Sequence, residues 1–399
     1  MIIQPAGRLA SVEEYYFSRK LREIRRMETE GHHVINLGIG SPDMMPSEAT
    51  IEALMNSARN PRHHGYPGYK GLPELRRAIA TWCKKSYGVV LNPDTEVLPL
   101  LGSKEGIMHV SMAFLNPDDE VLIPSLGYPT YASTARLVGA RIRNYGLDEK
   151  NNWLPDLETL RKEDLSHAKL MWINYPNMPT GAAATDELFT SLITFAHEKK
   201  ILLCHDNPYS MVLPDGPVRS ILAFDGAKET AIELNSLSKS HNMAGWRVGW
   251  VAGSADYLNA ILKVKSNVDS GMFIPIQHAA IEALNNPRIW HEERNADYKQ
   301  RRSEVWKILD ALGCRYRTGQ VGMFLWARIP DKYRDAELLA DKLLEIAHVF
   351  VTPGLVFGES GRRFIRVSLC AETGILKEAL RRVEEFAGRS QAELGEKRA

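Results

Sequence analysis

Cysteine is scarce in this chain. Its 399 residues include four (Cys83, Cys204, Cys314 and Cys370), far apart and without a C-x-x-C pair. That spacing argues against a disulfide framework or a structural zinc site, so no metal is expected and a reducing cytoplasm is the expected setting. A dominant charge sign is missing as well. Fifty Lys and Arg stand against 49 Asp and Glu, for a formal net charge of +1 spread along the sequence. A nucleic-acid partner therefore has no electrostatic footprint. No apolar run approaches the roughly 20 residues of a membrane span. The N-terminal residues contain Glu13 and Glu14 and no apolar core of a leader peptide, so a secretory signal is not expected. No internal repeat is visible.

What is present is an ordinary globular composition, 44% hydrophobic, in a chain longer than one hydrophobic core keeps growing. One large and one smaller domain are expected. A helical pattern runs from Ser11 through Met27, with Tyr15, Tyr16 and Phe17 clustered near its start. Such a cluster packs on the body of a protein, and Tyr15 is also a candidate for substrate contact. INLGIGSPDMMPS follows, with Gly38 and Gly40 allowing close backbone approach. GYPGYKGLPEL, Gly65–Leu75, is a loop entering a helix, and its aromatics Tyr66 and Tyr69 need not be buried. Val97–Leu101, weakened as a strand by Pro99, turns at Gly102-Ser103-Lys104 into a helix faced by Ile107, Val110 and Phe114. A helix start offers unpaired N–H groups and a positive dipole end, a natural phosphate seat.

Val121 onward repeats the pattern: a strand, the loop PSLGYPTY, a helix to Leu137 and the strand RIRNY. Leu170–Asn174 is a further strand, a helix begins near Thr185, and Ile201–Cys204 is a strand ending in HDNPY. A helix is expected over Asn267–Leu284. This alternation argues for an α/β fold, a largely parallel sheet with helices on both faces. From about residue 300 the pattern becomes α+β, with VGMFLWARI, a helix over Ala336–Ala347 and the strand FIRVSL. The expected division is an N-terminal arm with part of the small domain (1–50), a large domain (51–295) and a C-terminal small domain (296–399). The polar tail from Gly388 is expected to fray.

The stretch that carries chemistry is Asn235–Trp250, NSLSKSHNMAGWRVGW, which follows the buried run Ala231, Ile232, Leu234. Lys239 lies just past that strand, where side chains of an open α/β sheet reach a ligand crevice. Ser236 precedes it, and Arg247 follows between Gly245 and Gly249. A hydroxyl and a guanidinium flanking an amine suit a phosphorylated carbonyl compound, with Lys239 attacking the carbonyl. A solvated lysine at a Gly-rich turn would look similar were S-x-S-K alone. The fuller pattern, with G-x-R-x-G downstream, is far more demanding.

That pattern resembles the lysine signature of fold-type I aminotransferases, which use pyridoxal 5′-phosphate, and similar motifs run along almost the whole chain. The resemblance implies a mostly parallel, seven-stranded sheet covered by helices, with a smaller α+β domain. It implies that Lys239 holds the cofactor as an aldimine and later moves the substrate proton. Asp206, in HDNPY, matches the acid that keeps the pyridine nitrogen protonated, and Tyr209 the donor to its ring oxygen O3′. Gly102, Ser103, Lys104, Ser236, Ser238 and Arg247 are implied for cofactor binding, most of them at the phosphate, and Tyr128 for stacking on the ring. Tyr66 and Asn267 are implied to reach the neighbouring subunit's cofactor, hence a homodimer with shared sites. Arg366 matches the arginine that grips the substrate carboxylate, and Gly40 the glycine that lets the substrate approach.

One position departs from the family. Asparagine ordinarily stands immediately before P-T-G and contacts O3′; in NYPNMPTG that position is Met178, which has no donor. Lys104 and three stretches (LGSKEGIMH, TGAAAT, SNVDSG) are similar to aspartate and LL-diaminopimelate aminotransferases. The expected activity is thus transfer of the α-amino group of an acidic or LL-diaminopimelate-like amino acid to a 2-oxo acid such as 2-oxoglutarate, by a ping-pong mechanism. The alternatives are a carbon–sulfur lyase on the same fold, and an aminotransferase-like effector-binding domain. The second needs a DNA-binding module, for which the roughly 40 residues before the family core provide neither length nor basic pattern.

Overall fold

The computed structural model describes residues 3–12 and 14–396. After β1 (Ile35–Asn36), seven strands form one sheet: β2 (Val97–Leu100), β3 (Glu120–Pro124), β4 (Arg141–Tyr145), β5 (Ala168–Ile173), β6 (Leu202–Asp206), β7 (Ala231–Ser236) and β8 (Gly249–Gly253). Their order is β2-β8-β7-β6-β5-β3-β4. The run from β7 through β4 is parallel, while β8 is antiparallel to both β7 and β2. The sheet is thus seven-stranded and mostly parallel, as the alternating pattern and the resemblance together imply.

Burial explains why the strands read as continuous apolar runs. Leu170 and Trp172 of β5 join one hydrophobic cluster, with Ile232 and Leu234 of β7. The alternate residues Met171 and Ile173 join a second cluster on the opposite face. A sheet buried on both faces needs apolar side chains at every position, and each fully buried Leu or Ile contributes about 1.5–3 kcal/mol. The helices that cover it are bounded by local chemistry. Thr185 caps the helix Asp186–Lys199 by accepting from the Leu188 N–H at 3.2 Å, and its inner face is Leu188, Leu192, Phe195 and Ala196. Pro99 is compatible with β2 because that strand is at the sheet edge and pairs only with β8.

A smaller four-stranded sheet has the order β12-β13-β10-β9, from β9 (Arg315–Tyr316), β10 (Phe324–Arg328), β12 (Thr352–Pro353) and β13 (Phe364–Ser368). Beside it, β11 (Val349–Phe350) pairs in parallel with β1. Ser368 N–H donates to Leu37 O at 2.7 Å, and the Thr352 hydroxyl to Gly38 O at 2.9 Å. The N-terminal segment is therefore stitched onto the C-terminal one, and the stitch carries Gly38-Ile39-Gly40 over the large sheet.

Three expectations are corrected. No helix spans Asn267–Leu284: one ends at Lys265 and the next is Ile274–Leu284. The break follows from Gly271, at φ +96°, and from Pro275, which suits a first helical turn and not an interior. The N-terminal helix begins at Tyr16 and runs to Thr29, preceded by a separate 3-10 turn over Gly7–Ser11. The tail expected to fray from Gly388 instead continues the helix Thr373–Glu396, and the last three residues lie outside those described.

Candidate active site

The parallel strands end at one crevice, and the functional side chains come from those ends. Asp206 is the last residue of β6 and Ser236 the last of β7, directly before the short turn that carries Lys239. Gly102-Ser103 follows β2 and opens the helix Ser103–Phe114. Asp206, Ser236, Lys239 and Ser103 line a cavity of about 530 Å³ together with Lys104, Tyr15, Tyr128, Tyr209, Ser238, Arg247, Gly40 and Arg366. Twelve of the fifteen site residues implied by the sequence thus converge on one chamber: the fifteen are these twelve with Gly102, Tyr66 and Asn267.

Lys239 points its amine at the Gly40 carbonyl and donates to it. Burial lowers the amine from its ordinary value to about 8; the positive charges of Arg366 and Arg247 lower it further, and Cys370 opposes the shift. A lysine so depressed has a substantial neutral, nucleophilic fraction near neutral pH. Asp206 is buried and pushed up to about 6 by desolvation, against the hydrogen bond from Tyr131 that pulls it down. Its Oδ2 accepts from the Tyr131 hydroxyl at 2.8 Å, while Oδ1 has no partner among the described residues. An unpartnered carboxylate oxygen facing a cavity requires a donor from outside the chain, such as a protonated ring nitrogen.

The anion seat is built from backbone geometry. Gly102 adopts φ +88°, and a Cβ there would collide with the Arg247 guanidinium. Arg247 itself is in the left-handed region at φ +58°, a strained conformation for a non-glycine residue. That turn brings its Nη1 to the Ser238 hydroxyl at 3.3 Å and the Ala244 carbonyl at 2.8 Å. Ser236 Oγ accepts from the Ser238 N–H at 3.1 Å. A guanidinium, three hydroxyls and a helix start on one wall fit a phosphate. The donor set and the lone Asp206 oxygen therefore suit pyridoxal phosphate.

Arg366 faces the cavity from β13. Its guanidinium lies 4.0 Å from the Phe324 ring centroid and 4.6 Å from that of Phe357. Nη2 donates to Gly38 O at 2.6 Å, and Nε has no partner among the described residues. Among the described residues no carboxylate pairs with it, and burial holds it down at about 10. Lys104 places its ammonium 4.9 Å from the Tyr15 ring. Tyr128 meets Tyr131 edge-on at 5.8 Å, and Tyr131 stacks on Trp172 at 5.0 Å. Tyr66 and Asn267 are not in the chamber: Tyr66 is 90% exposed, and the exposed Asn267 donates to Lys263 O at 2.8 Å.

Several residues that shape the site carry no sequence signal. Tyr131 could not be told from Tyr128 within GYPTY, although it is the one bonded to Asp206. Asn174 donates to Asp206 O at 2.7 Å and accepts from Met178 N–H at 2.8 Å, so it braces the acid and the turn at once. Phe324 and Phe357 wall the chamber from distant segments. Glu105, His109 and Asp269 form a separate cluster in which only His109 is fully buried, and Asp269 is already held by Lys265 at 2.7 Å.

An amine, a lone buried acid, an anion seat and a carboxylate-ready arginine on an α/β sheet define a class, transferases that work through a bound aldehyde cofactor. The particular family is shown by comparison: residues 32–383 match aminotransferase class I and II, and the chain belongs to that family. It is similar to LL-diaminopimelate aminotransferase of Dehalococcoides mccartyi, 41% identical over 96% of this chain and 99% of the relative. The enzyme of the same name from Halothermothrix orenii is 39% identical over 96% and 98%. Among solved structures, apo-BacF from Bacillus subtilis superposes with a TM-score of 0.93 at 36% identity, covering 97% of this chain and 99% of that one. The chain is accordingly an aminotransferase that uses pyridoxal 5′-phosphate.

Proposed function

We propose that this enzyme transfers the α-amino group of an acidic or LL-diaminopimelate-like amino acid to a 2-oxo acid such as 2-oxoglutarate, in two half-reactions at one site. The observation that carries the reading is the shared chamber of Lys239, the lone Asp206 oxygen and the unpaired Arg366. Bound pyridoxal phosphate supplies an aldehyde to receive the amino group and a ring to accept electrons from the substrate's Cα. Every other role falls to the chain. Ser103, Ser236, Ser238 and Arg247 hold the phosphate, with Gly102 giving the backbone approach. Asp206 Oδ1 would keep the ring nitrogen protonated, Tyr209 would donate to the ring oxygen, and Tyr128 would stack on the ring. Lys239 Nζ takes the proton from Cα once an amino acid has arrived.

Arg366 binds the α-carboxylate of donor and acceptor alike, with Gly40 leaving room for it. A single carboxylate site serving both substrates favours the ping-pong order, since one must leave before the next enters. Lys104 and Tyr15 line the same chamber, a cation and a hydroxyl suited to a distal acidic group; this supports acidic donors, as do the relatives named LL-diaminopimelate aminotransferase. Exposed Tyr66, Tyr69, Val268 and Phe273 favour a second copy of the chain covering that face, with Tyr66 and Asn267 completing the partner's phosphate seat. The division at residues 50 and 295 and a cytoplasmic setting complete the reading; the buried free thiols Cys83, Cys204 and Cys314 agree with the latter.

The test is borohydride reduction of the cofactor-saturated protein, peptide mapping, and a panel of amino donors against 2-oxoglutarate. The label should fall on Lys239, and oxo-acid production should require the acceptor. Label on another residue, or oxo acid formed in repeated turnovers without acceptor as a carbon–sulfur lyase would do, refutes the proposal.

A further inference from the structure

Met178 is buried and lines the same chamber as Asp206 and Arg366. Its place is fixed from the backbone side, because its N–H is held by Asn174, which also grips the Asp206 carbonyl. Its thioether accepts from Arg366 Nη1 at 3.2 Å. Among the described residues the guanidinium is otherwise bonded to Gly38 O alone, and it is enclosed by the rings of Phe17, Phe324 and Phe357. Sulfur is a weak acceptor and no donor. An amide or carboxylate at this position would bind Nη1 strongly, and a substrate carboxylate would have to displace it. A thioether holds the arginine in place and gives way. Asn174 is committed to its two backbone bonds, so the wall offers few donors to anything bound beside Asp206.

We propose that Met178 is a positioning residue with two effects: it holds Arg366 through a weak contact that a substrate carboxylate displaces, and it leaves the Tyr209 hydroxyl as the side-chain donor on this wall for the phenolic oxygen of bound pyridoxal phosphate. The inference rests on the proposed cofactor placement. Both effects are properties of this chain's methionine, not of the reaction in general.

The experiment uses the holoenzyme and the variants Met178→Asn and Met178→Leu. Visible absorbance is followed against pH, and KM and kcat are measured for several α-amino acids. An added amide donor stabilises the bare phenolate, so the Lys239 linkage loses its proton more easily. The spectral midpoint of Met178→Asn should fall by about one pH unit, the shift expected of one hydrogen bond to a charged oxygen. Met178→Leu has no donor and no acceptor. Its midpoint should stay within a few tenths of a unit while KM for every α-carboxylate substrate rises severalfold at nearly constant kcat. An unmoved midpoint in Met178→Asn, or an unmoved KM in Met178→Leu, overturns the inference and leaves the aminotransferase reading standing. Absence of any visible band in the cofactor-saturated wild type overturns both.

Discussion

The depressed amine of Lys239 makes a prediction about how the empty enzyme takes up its cofactor. Only the neutral amine attacks an aldehyde, and the amine is lowered from 10.5 to about 8, chiefly by burial and then by Arg366 and Arg247. At pH 7 about one molecule in eleven then carries a neutral amine, against about one in three thousand for a solvated lysine, a difference of about 300-fold. Mixing apoenzyme with excess pyridoxal phosphate and following visible absorbance should give a rate that climbs about tenfold per pH unit below 8 and levels off above it. A rate still climbing to pH 10 without a break refutes the reasoning. Stability carries the same signature. The folded amine has the lower pKa, so between about 8 and 10.5 the unfolded chain binds more protons and apoenzyme stability rises with pH across that window. Below it the whole penalty applies, at most about 3 kcal/mol. Lys239→Met should therefore abolish turnover yet stabilise the apoenzyme at pH 7 by about 1–3 kcal/mol in denaturant unfolding, with the gain fading above pH 8.

Other variants test the remaining groups. Asp206→Asn keeps the Tyr131 contact but loses the charge at the lone oxygen; kcat should fall at least about 100-fold with cofactor still bound, measured by single-turnover absorbance. Arg366→Lys retains charge but not the two-pronged grip, so KM for α-carboxylate substrates should rise about 10- to 100-fold in steady-state assays. Gly102→Ala forces a Cβ into the Arg247 guanidinium from a left-handed backbone position. It should cost about 1–3 kcal/mol of stability and weaken pyridoxal phosphate binding, read by cofactor titration.

The sheet was legible because its strands are buried on both faces and so interrupt the helical spacing as short apolar runs. β5 and β7 illustrate this, each wholly or almost wholly buried. The helix boundaries were less legible where a glycine or proline governs. The apolar spacing of Ile276, Ala279, Ala280 and Ala283 is real, but extrapolating it back to Asn267 ignored the positive φ that Gly271 supplies. The site was legible where one motif brings several groups together, as Ser236, Ser238, Lys239 and Arg247 do within one short stretch of sequence. It was illegible where contacts cross the fold. Nothing in the strings around Tyr131, Asn174, Phe324 or Phe357 says that they meet Asp206 or Arg366, because those contacts join segments far apart in the sequence.

The groups that matter most are the ones the fold leaves unbalanced. Arg366 is buried without an acid, Asp206 is buried with one oxygen bare, and Lys239 is a buried amine beside two guanidinium groups. Each arrangement is destabilising in isolation, because a buried charge or polar atom without a partner costs on the order of one to several kcal/mol. The missing partners are of complementary kinds: an anion for Arg366, a proton donor for Asp206, a carbonyl carbon for Lys239. One phosphorylated pyridine aldehyde and one α-amino or 2-oxo acid supply all three. Ligand binding therefore removes penalties already present in the apoenzyme, so cofactor and substrate should raise the unfolding temperature in two separable steps. The first should need Asp206 and Lys239, and the second Arg366. A substrate analogue that stabilised the Arg366→Ala holoenzyme as much as the wild type would show that the imbalance at β13 is not what the carboxylate relieves.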